Sequence, residues 1–491
     1  MAPQQKYQQL MPDSEEDPPP GDRGARKLCW DSLMAVLVLL MVGVLLLLAT
    51  SRIAVFGAEG VGPQEASSPR RPPGDACRLT VVESIPEGMD YGPNGTVSPT
   101  VFGVWTSLIT EATRTVDIAS FYWTLTNSDT GTTEPSASQG EKILQELMSL
   151  SSRVSVRIVV NKPSKSSTTA DLNSLTQRGA KVRVVDFPKL TSGVLHTKFW
   201  IVDKKHIFVG SPNMDWRSLT QVKELGAVVY NCSSVAQDLE KIFEEYWFLG
   251  AGGDIPTEWP LNYSTKYNSL NPLHILLNNT PAQVYLSSSP PALSARGRTD
   301  DLKAILSIIA DASEFVYVAV MDYIPVSVYS HPQRFWPDID TALRRAAFDR
   351  RVTVRLLVSC WKHTDPIMFP FLKSLAALGN RRLHLEVRMF FVPTTEEQKR
   401  IPYGRVNHNK YLVTDRVGYI GTSNWSGDYF SHTAGVGLSV NQTGSEGGPG
   451  VSEVSKQLKD IFERDWNSQY STKLDGLGDN WDTVCQHTEN M

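Results

Sequence analysis

The chain has 491 residues, 41% of them hydrophobic and 20% charged, enough to bury one large core or two packed ones. A net charge of −4 excludes a uniformly basic nucleic-acid-coating protein, so any surface that meets phosphate must be local. In chain order, residues 1–28 are polar, with Glu15, Glu16, Asp17 and a Pro18–Gly21 stretch, and read as a disordered cytosolic tail. Leu33 to Ala49 is an unbroken apolar run without a charge. With its borders (29–52) it is long enough for a transmembrane signal-anchor, and it has no polar face that would suit a buried core helix. Arg23, Arg26 and Lys27 stand before it and Arg52 alone just after, so the positive-inside rule leaves the bulk of the chain in the lumen. Residues 53–76, rich in Gly, Pro and Ser, follow as a flexible stalk open to proteases.

From Cys77 onward the chain repeats itself. Ala112–Trp123 parallels Ala312–Tyr323, Val156–Val160 parallels Val354–Val358, and Leu239–Trp247 parallels Leu458–Trp466, in the same order and some two hundred residues apart. Short β-branched runs alternate with amphipathic stretches such as Glu141–Leu150, predicting an α/β fold. The expected architecture is two similar α-β-α lobes, residues 77–265 and 266–491, packed around one shared site. Four lumenal cysteines allow three pairings; Cys77–Cys232 and Cys360–Cys485 are favoured because each closes within one half. Sequons at Asn94, Asn231, Asn262, Asn278 and Asn441 predict glycosylation in the same compartment, whereas Asn424, also in a sequon, is expected bare.

The most telling repeat is H-x-K-x-x-x-x-D. His196, Lys198 and Asp203 form one copy, and His408, Lys410 and Asp415 the other. Each is followed by a glycine-led turn ending in asparagine, Gly210–Asn213 and Gly421–Asn424. Each His and Lys are two residues apart at a strand-like segment, so both side chains point one way. If the halves face each other, one pocket receives two His, two Lys and two Asn. One neutral imidazole then attacks phosphorus while the other, protonated, serves the leaving oxygen. Lys198, Lys410, Asn213 and Asn424 would stabilise the non-bridging oxygens. Asp203 and Asp415 are expected to hold the fold through hydrogen bonds bridging the lobes. Pro212 leaves the backbone contribution of the first turn in question. Aromatics near the motifs (Phe121–Trp123, Trp216, Phe335–Trp336, Trp425) read either as base-stacking platforms or as core. No HExxH, CxxC or acidic cluster accompanies the histidines, so no metal or other cofactor is expected.

This duplicated motif resembles that of the phospholipase D superfamily. The flanks Asn213–Ser218, Gln221–Gly226 and Gly421–Ser426 resemble its single-pass lysosomal branch, the third and fourth vertebrate phospholipase D proteins. The resemblance covers the anchor and essentially all of residues 77–491. It implies a metal-free site between two lobes and 5′→3′ exonuclease action on single-stranded DNA and RNA through a phosphohistidine. It also implies an alternative on the same catalytic residues: phospholipid hydrolysis or headgroup exchange on lysophosphatidylglycerol-type lipids, making bis(monoacylglycero)phosphate. Implied surroundings are the endoplasmic reticulum, Golgi and endosome, with a cleaved lumenal part reaching the lysosome, and a homodimer as a further partner state. Glu224 lies where the superfamily keeps a carboxylate that hydrogen-bonds an imidazole, and its counterpart segment Ser431–Gly437 has no acid. A carboxylate orients an imidazole and raises its basicity. On that ground His196 is expected to be the nucleophile and His408 the proton donor.

Overall fold

The computed structural model describes residues 76–93, 95–164, 167–330, 332–442, 453–474 and 485. The tail, the apolar run of 33–49, the stalk up to residue 75 and Asn94 lie outside the described residues. Among the described residues, no helix is long and apolar enough to cross a membrane.

The fold is mixed α/β, and its two large sheets are built from consecutive stretches of chain. The first takes β1 (Arg78–Ser84), β2 (Thr115–Ser120), β3 (Ser155–Asn161), β4 (Lys181–Val185), β5 (Phe199–Val202), β6 (His206–Gly210) and β7 (Glu224–Tyr230). Their order across the sheet is β1-β7-β6-β5-β2-β3-β4. The second contains β8 (Leu273–Leu277), β9 (Thr280–Ser289), β10 (Phe315–Val320), β11 (Thr353–Ser359), β12 (Leu385–Phe390), β13 (Lys410–Thr414), β14 (Val417–Gly421), β15 (Gly435–Asn441) and β16 (Ser471–Lys473). Its main path is β8-β9-β15-β14-β13-β10-β11-β12-β16. The inner strands match in sense as well as order. β2 is parallel to β3 and antiparallel to β5, and β10 is parallel to β11 and antiparallel to β13.

Helices cover both faces of each sheet, which is why central strands such as FVYVAV in β10 are apolar throughout instead of alternating. Helices α1 (Val101–Glu111), α2 (Ser138–Leu150) and α3 (Ser233–Leu249) belong to the first stretch, and α4 (Asp301–Asp311), α5 (Asp338–Arg350) and α6 (Glu453–Trp466) to the second. Thr100 caps α1, its hydroxyl oxygen accepting from Gly103 N. The apolar stripe of α3, Leu239, Ile242, Phe243 and Tyr246, joins Leu458, Ile461 and Phe462 of α6 in a central core that also takes residues of both sheets. Each outer helix set packs on the far face of its own sheet, α1 and α2 in one cluster and α4 and α5 in another. The layers therefore run helix, sheet, helix pair, sheet, helix. Both expected disulfides are present, Cys77–Cys232 and Cys360–Cys485.

Candidate active site between the two sheets

The sheets are stitched together beside the repeated motifs. β5 begins only at Phe199 and β13 at Lys410, so each histidine lies ahead of its strand, where the expected in-strand position would not leave it. The reason is that its backbone pairs across the molecule. His196 N donates to Ala434 O (3.0 Å) and Ala434 N to Val194 O (2.9 Å). Reciprocally, His408 N donates to Lys223 O (2.7 Å) and Lys223 N to Val406 O (2.9 Å). Each histidine thus enters the site on the other half's backbone, and the two imidazoles converge.

Their side-chain partners are crossed too. His408 Nδ1 lies 2.8 Å from Glu224 Oε2, and His196 Nδ1 lies 3.0 Å from the carbonyl oxygen of Thr422. Glu224 therefore serves the histidine of the opposite half and not the one in its own, which removes the ground on which His196 was assigned as nucleophile. A better ground replaces it. A carbonyl can only accept, so His196 Nδ1 carries a hydrogen and Nε2 keeps its lone pair when the ring is neutral. Burial, Lys198, Lys410 and His408 hold the His196 imidazole well below the usual histidine range. Burial also lowers His408, but there the Glu224 carboxylate opposes it and favours the imidazolium. Glu224 is fully buried and accepts from Ser211 Oγ (2.5 Å) and Ser218 Oγ (2.8 Å). Although burial pushes its carboxyl up, His408, Lys410 and Ser211 hold it below the ordinary range. The position facing this role in the second half is Gly435, which carries no acid, and a Cβ there would come within 2.2 Å of Ser423 Oγ, so that hydroxyl would have to move to admit a side chain.

Both lysines are buried, and each donates back to its own motif histidine's carbonyl: Lys198 Nζ to His196 O (2.6 Å) and Lys410 Nζ to His408 O (2.7 Å). Burial and the mutual repulsion of the pair push Lys198 well below the lysine range. Burial brings Lys410 down to about 7, against the pull of Glu224 and Asp322. A site holding two such lysines and two imidazoles is short of negative charge, which an incoming phosphodiester supplies.

Asn213 and Asn424 both reach this place. Asn213 Nδ2 donates to Tyr122 Oη (3.2 Å), and Asn424 Nδ2 to Asp322 Oδ2 (3.1 Å) and Tyr429 Oη (3.2 Å). The first turn gives no backbone donor: Pro212 has none, and Ser211 N and Asn213 N are bonded to Leu225 O and Ser218 Oγ. Asp203 and Asp415 do not bridge the halves. Asp203 accepts from Thr113 N and Oγ1, Arg114 N and Thr115 N, and Asp415 from Ser313 N and Oγ and Glu314 N, all within the same half. These hydrogen bonds hold Asp203 down to about 2. Among the described residues, no group of three His, Cys, Asp or Glu is arranged to hold a metal ion.

Of the aromatics, Trp123, Trp216 and Trp425 are core, while Phe121 stands 5.0 Å from the His196 ring. Tyr429 packs edge-on to the same ring, also at 5.0 Å. Beside Phe121 a cleft of about 670 Å³ is lined by Tyr122, Lys162, Arg217 and Tyr403 among others. Thr422, Asp322 and Tyr429 are site residues beyond the sequence expectations, and Tyr122, expected only as a stacking or core aromatic, is the hydrogen-bond partner of Asn213. The alignment of Tyr122 with Asp322 in the repeat, equivalent in place but different in chemistry, was the signal available for Asp322.

The family described as PLD3/4, PLD-like domain matches residues 94–395. The chain belongs to this family. The 5′-3′ exonuclease PLD3 of Xenopus laevis is 59% identical over 415 residues, covering 84% of each chain. The 5′-3′ exonuclease PLD3 of Homo sapiens is 50% identical over 499 residues, 99% of this chain and 100% of the relative. The 5′-3′ exonuclease PLD4 of Homo sapiens is 48% identical over 417 residues, 84% of this chain and 82% of the relative.

Proposed function

We propose that the chain is a 5′→3′ exonuclease that hydrolyses single-stranded DNA and RNA, with His196 as nucleophile and His408 as general acid and base. The observation that carries this reading is the crossed hydrogen bonding, a carbonyl on His196 and a carboxylate on His408, which gives the two imidazoles different protonation roles in one buried site. His196 Nε2 attacks phosphorus, the bond to the leaving sugar oxygen breaks, and His408 Nε2–H protonates that oxygen. Water then attacks the phosphohistidine as His408 takes its proton, and the N–P bond breaks to release a phosphomonoester. Lys198, Lys410, Asn213 and Asn424 hold the non-bridging oxygens throughout. The relatives' exonuclease names favour nucleic acid over lipid, and the cleft beside Phe121 and Tyr122 offers aromatic faces to unstacked bases.

The matching order and sense of the inner strands support a duplication, with lobes at 77–265 and 266–491. Two disulfides support a lumenal, oxidising location reached behind the 29–52 anchor, and delivery to an acidic lysosome follows in this reading. Asn231 and Asn262 are exposed acceptors for glycans. Asn278 bonds Leu79 N and O through its amide, and a glycan on Nδ2 still leaves the hydrogen that the second bond needs.

The test is the full chain in detergent with labelled single-stranded oligonucleotide at acidic pH in EDTA. Stepwise shortening from the 5′ end, abolished by His196→Ala and by His408→Ala, is expected. Metal dependence, or activity surviving both changes, would overturn the assignment, and turnover of phosphatidylglycerol alone would point to the lipid reaction.

A further inference from the structure

Asn424 is bound in a way that does not suit its place. Both hydrogens of its Nδ2 are taken up, one by Asp322 Oδ2 and one by Tyr429 Oη. Its Oδ1 is buried without a hydrogen-bond partner among the described residues. An amide whose nitrogen faces Asp322 and Tyr429 presents its carbonyl oxygen, not an N–H, to the rest of the site, and a carbonyl repels a phosphate oxygen. In the first half Asn213 Oδ1 is likewise buried without a hydrogen-bond partner among the described residues, but only one hydrogen of its Nδ2 is taken up, which leaves the other for a phosphate oxygen. There the residue aligned with Asp322 is Tyr122, whose hydroxyl accepts from Asn213 Nδ2 and donates to Asp215 Oδ2 (3.0 Å). Asp215 is itself paired with Arg217 (2.7 Å). A phenol and a carboxylate differ in one decisive respect: an ionised carboxylate only accepts, while a protonated one also donates.

We propose that Asp322 is a positioning residue that sets which end of the Asn424 amide faces the substrate phosphate. Ionised Asp322 fixes the nitrogen toward itself. Protonated Asp322 donates to Oδ1, Tyr429 Oη donates to the same oxygen, and the near-isosteric amide turns by half a rotation so that Nδ2 faces the site. The groups facing Asp322 are Lys410 on β13, Asp365 on the loop after β11, Tyr329, and the pair Asn424 and Tyr429. Burial pushes the Asp322 carboxyl up to about 6, against the pull of Lys410 and with a further push from Asp365. The productive orientation is therefore the one populated in an acidic lumen, and it is lost as pH rises through that value. The inference rests on the phosphodiester reading of the site but not on nucleic acid being the diester.

The experiment uses the full chain carrying His196→Ala, which binds without turnover, at about pH 5 and about pH 8, the range over which histidine and raised carboxyl groups titrate. Two probes are titrated separately: a fluorescent single-stranded oligonucleotide and inorganic phosphate. A hydrogen bond to a charged group contributes about 1.5–3 kcal/mol, so affinity is expected to fall roughly tenfold or more on going to the higher pH. Adding Asp322→Asn, whose amide can donate to Oδ1 at either pH, is expected to shrink that fall to the part that Lys410 contributes as its own charge is lost at about 7. Adding Asn424→Ala instead is expected to weaken binding more at the lower pH than at the higher and so to shrink the fall in the same way, which tests the idea even if the Asp322 variant folds poorly. An unchanged pH dependence in either variant would overturn the proposal. The expected pattern with phosphate but no binding of the oligonucleotide would leave the positioning role intact and defeat the nuclease reading.

Discussion

At the residue scale, the crossed Glu224–His408 pair makes a prediction that separates an acid from a nucleophile. In Glu224→Gln the amide can still hydrogen-bond His408 Nδ1, but the charge that stabilises the imidazolium is gone. The loss in kcat is expected to be about 10²–10⁴-fold for an oligonucleotide, whose sugar oxygen needs a proton to leave. For a p-nitrophenyl phosphodiester, whose leaving group needs none, the loss should be far smaller. Equal losses on both substrates would mean that Glu224 acts on the attacking imidazole. A companion expectation concerns His408→Ala with the same activated ester: one rapid release of p-nitrophenol per site and then a stall, seen by rapid mixing, because the phosphohistidine on His196 lacks a base to activate water. The identities of these residues were legible in the sequence, because H-x-K spacing and a trailing Asn are local patterns. The partner of Glu224 was not. Local sequence neighbourhoods say nothing about which imidazole a carboxylate meets once two halves interlock, and here each histidine is seated on the opposite half's backbone.

At the element scale, the two motif aspartates act as clasps on the turns that launch β2 and β10. Asp203 gathers three backbone N–H groups and the Thr113 hydroxyl, and these bonds account for its carboxyl being held to about 2. A folded-state value below the ordinary one contributes stability that is present above the unfolded pKa and lost as pH falls toward the folded one. From the ordinary value of 3.8 to about 2, the contribution is about 2 kcal/mol. Thermal melts of Asp203→Ala should therefore lie below the parent by a gap that is constant near neutrality and closes as pH drops below about 4. A gap independent of pH would mean the loss is one of packing. The strands themselves were readable from β-branched runs, and the helix at Glu141–Leu150 from its spacing, with the structure beginning it earlier at Ser138. The start of β5 was not readable, since whether residues 196–198 pair inside their own sheet or across to Ala434 depends on a neighbour more than two hundred residues away.

At the scale of the whole molecule, a buried charge cluster ties the two ends of the folded part to the site. Lys223 Nζ meets Asp465 Oδ2 (2.7 Å) and Glu83 Oε1 (3.4 Å), and Arg464 meets Glu83 (2.7 Å) and Asp465 (2.8 Å). Glu83 belongs to β1, Arg464 and Asp465 to α6, and Lys223 immediately precedes Glu224 while its backbone holds Val406 and His408. Two acids and two bases balance, so the consequence of removing one charge depends on what is left behind. Asp465→Asn leaves an uncompensated buried cation, which typically costs about 3–5 kcal/mol. Removing Lys223 as well, as Lys223→Met with Asp465→Asn, leaves Glu83 and Arg464 paired and the interior neutral. Chemical denaturation should find the double variant more stable than Asp465→Asn alone, a coupling that independent sites do not show. Its activity should follow a different course from its stability, because the methionine no longer anchors the segment that presents Glu224 to His408. Additive stability losses would mean the four charges do not act as a unit, and recovery of activity in step with stability would mean that the lysine's side chain contributes nothing to how the general acid is held.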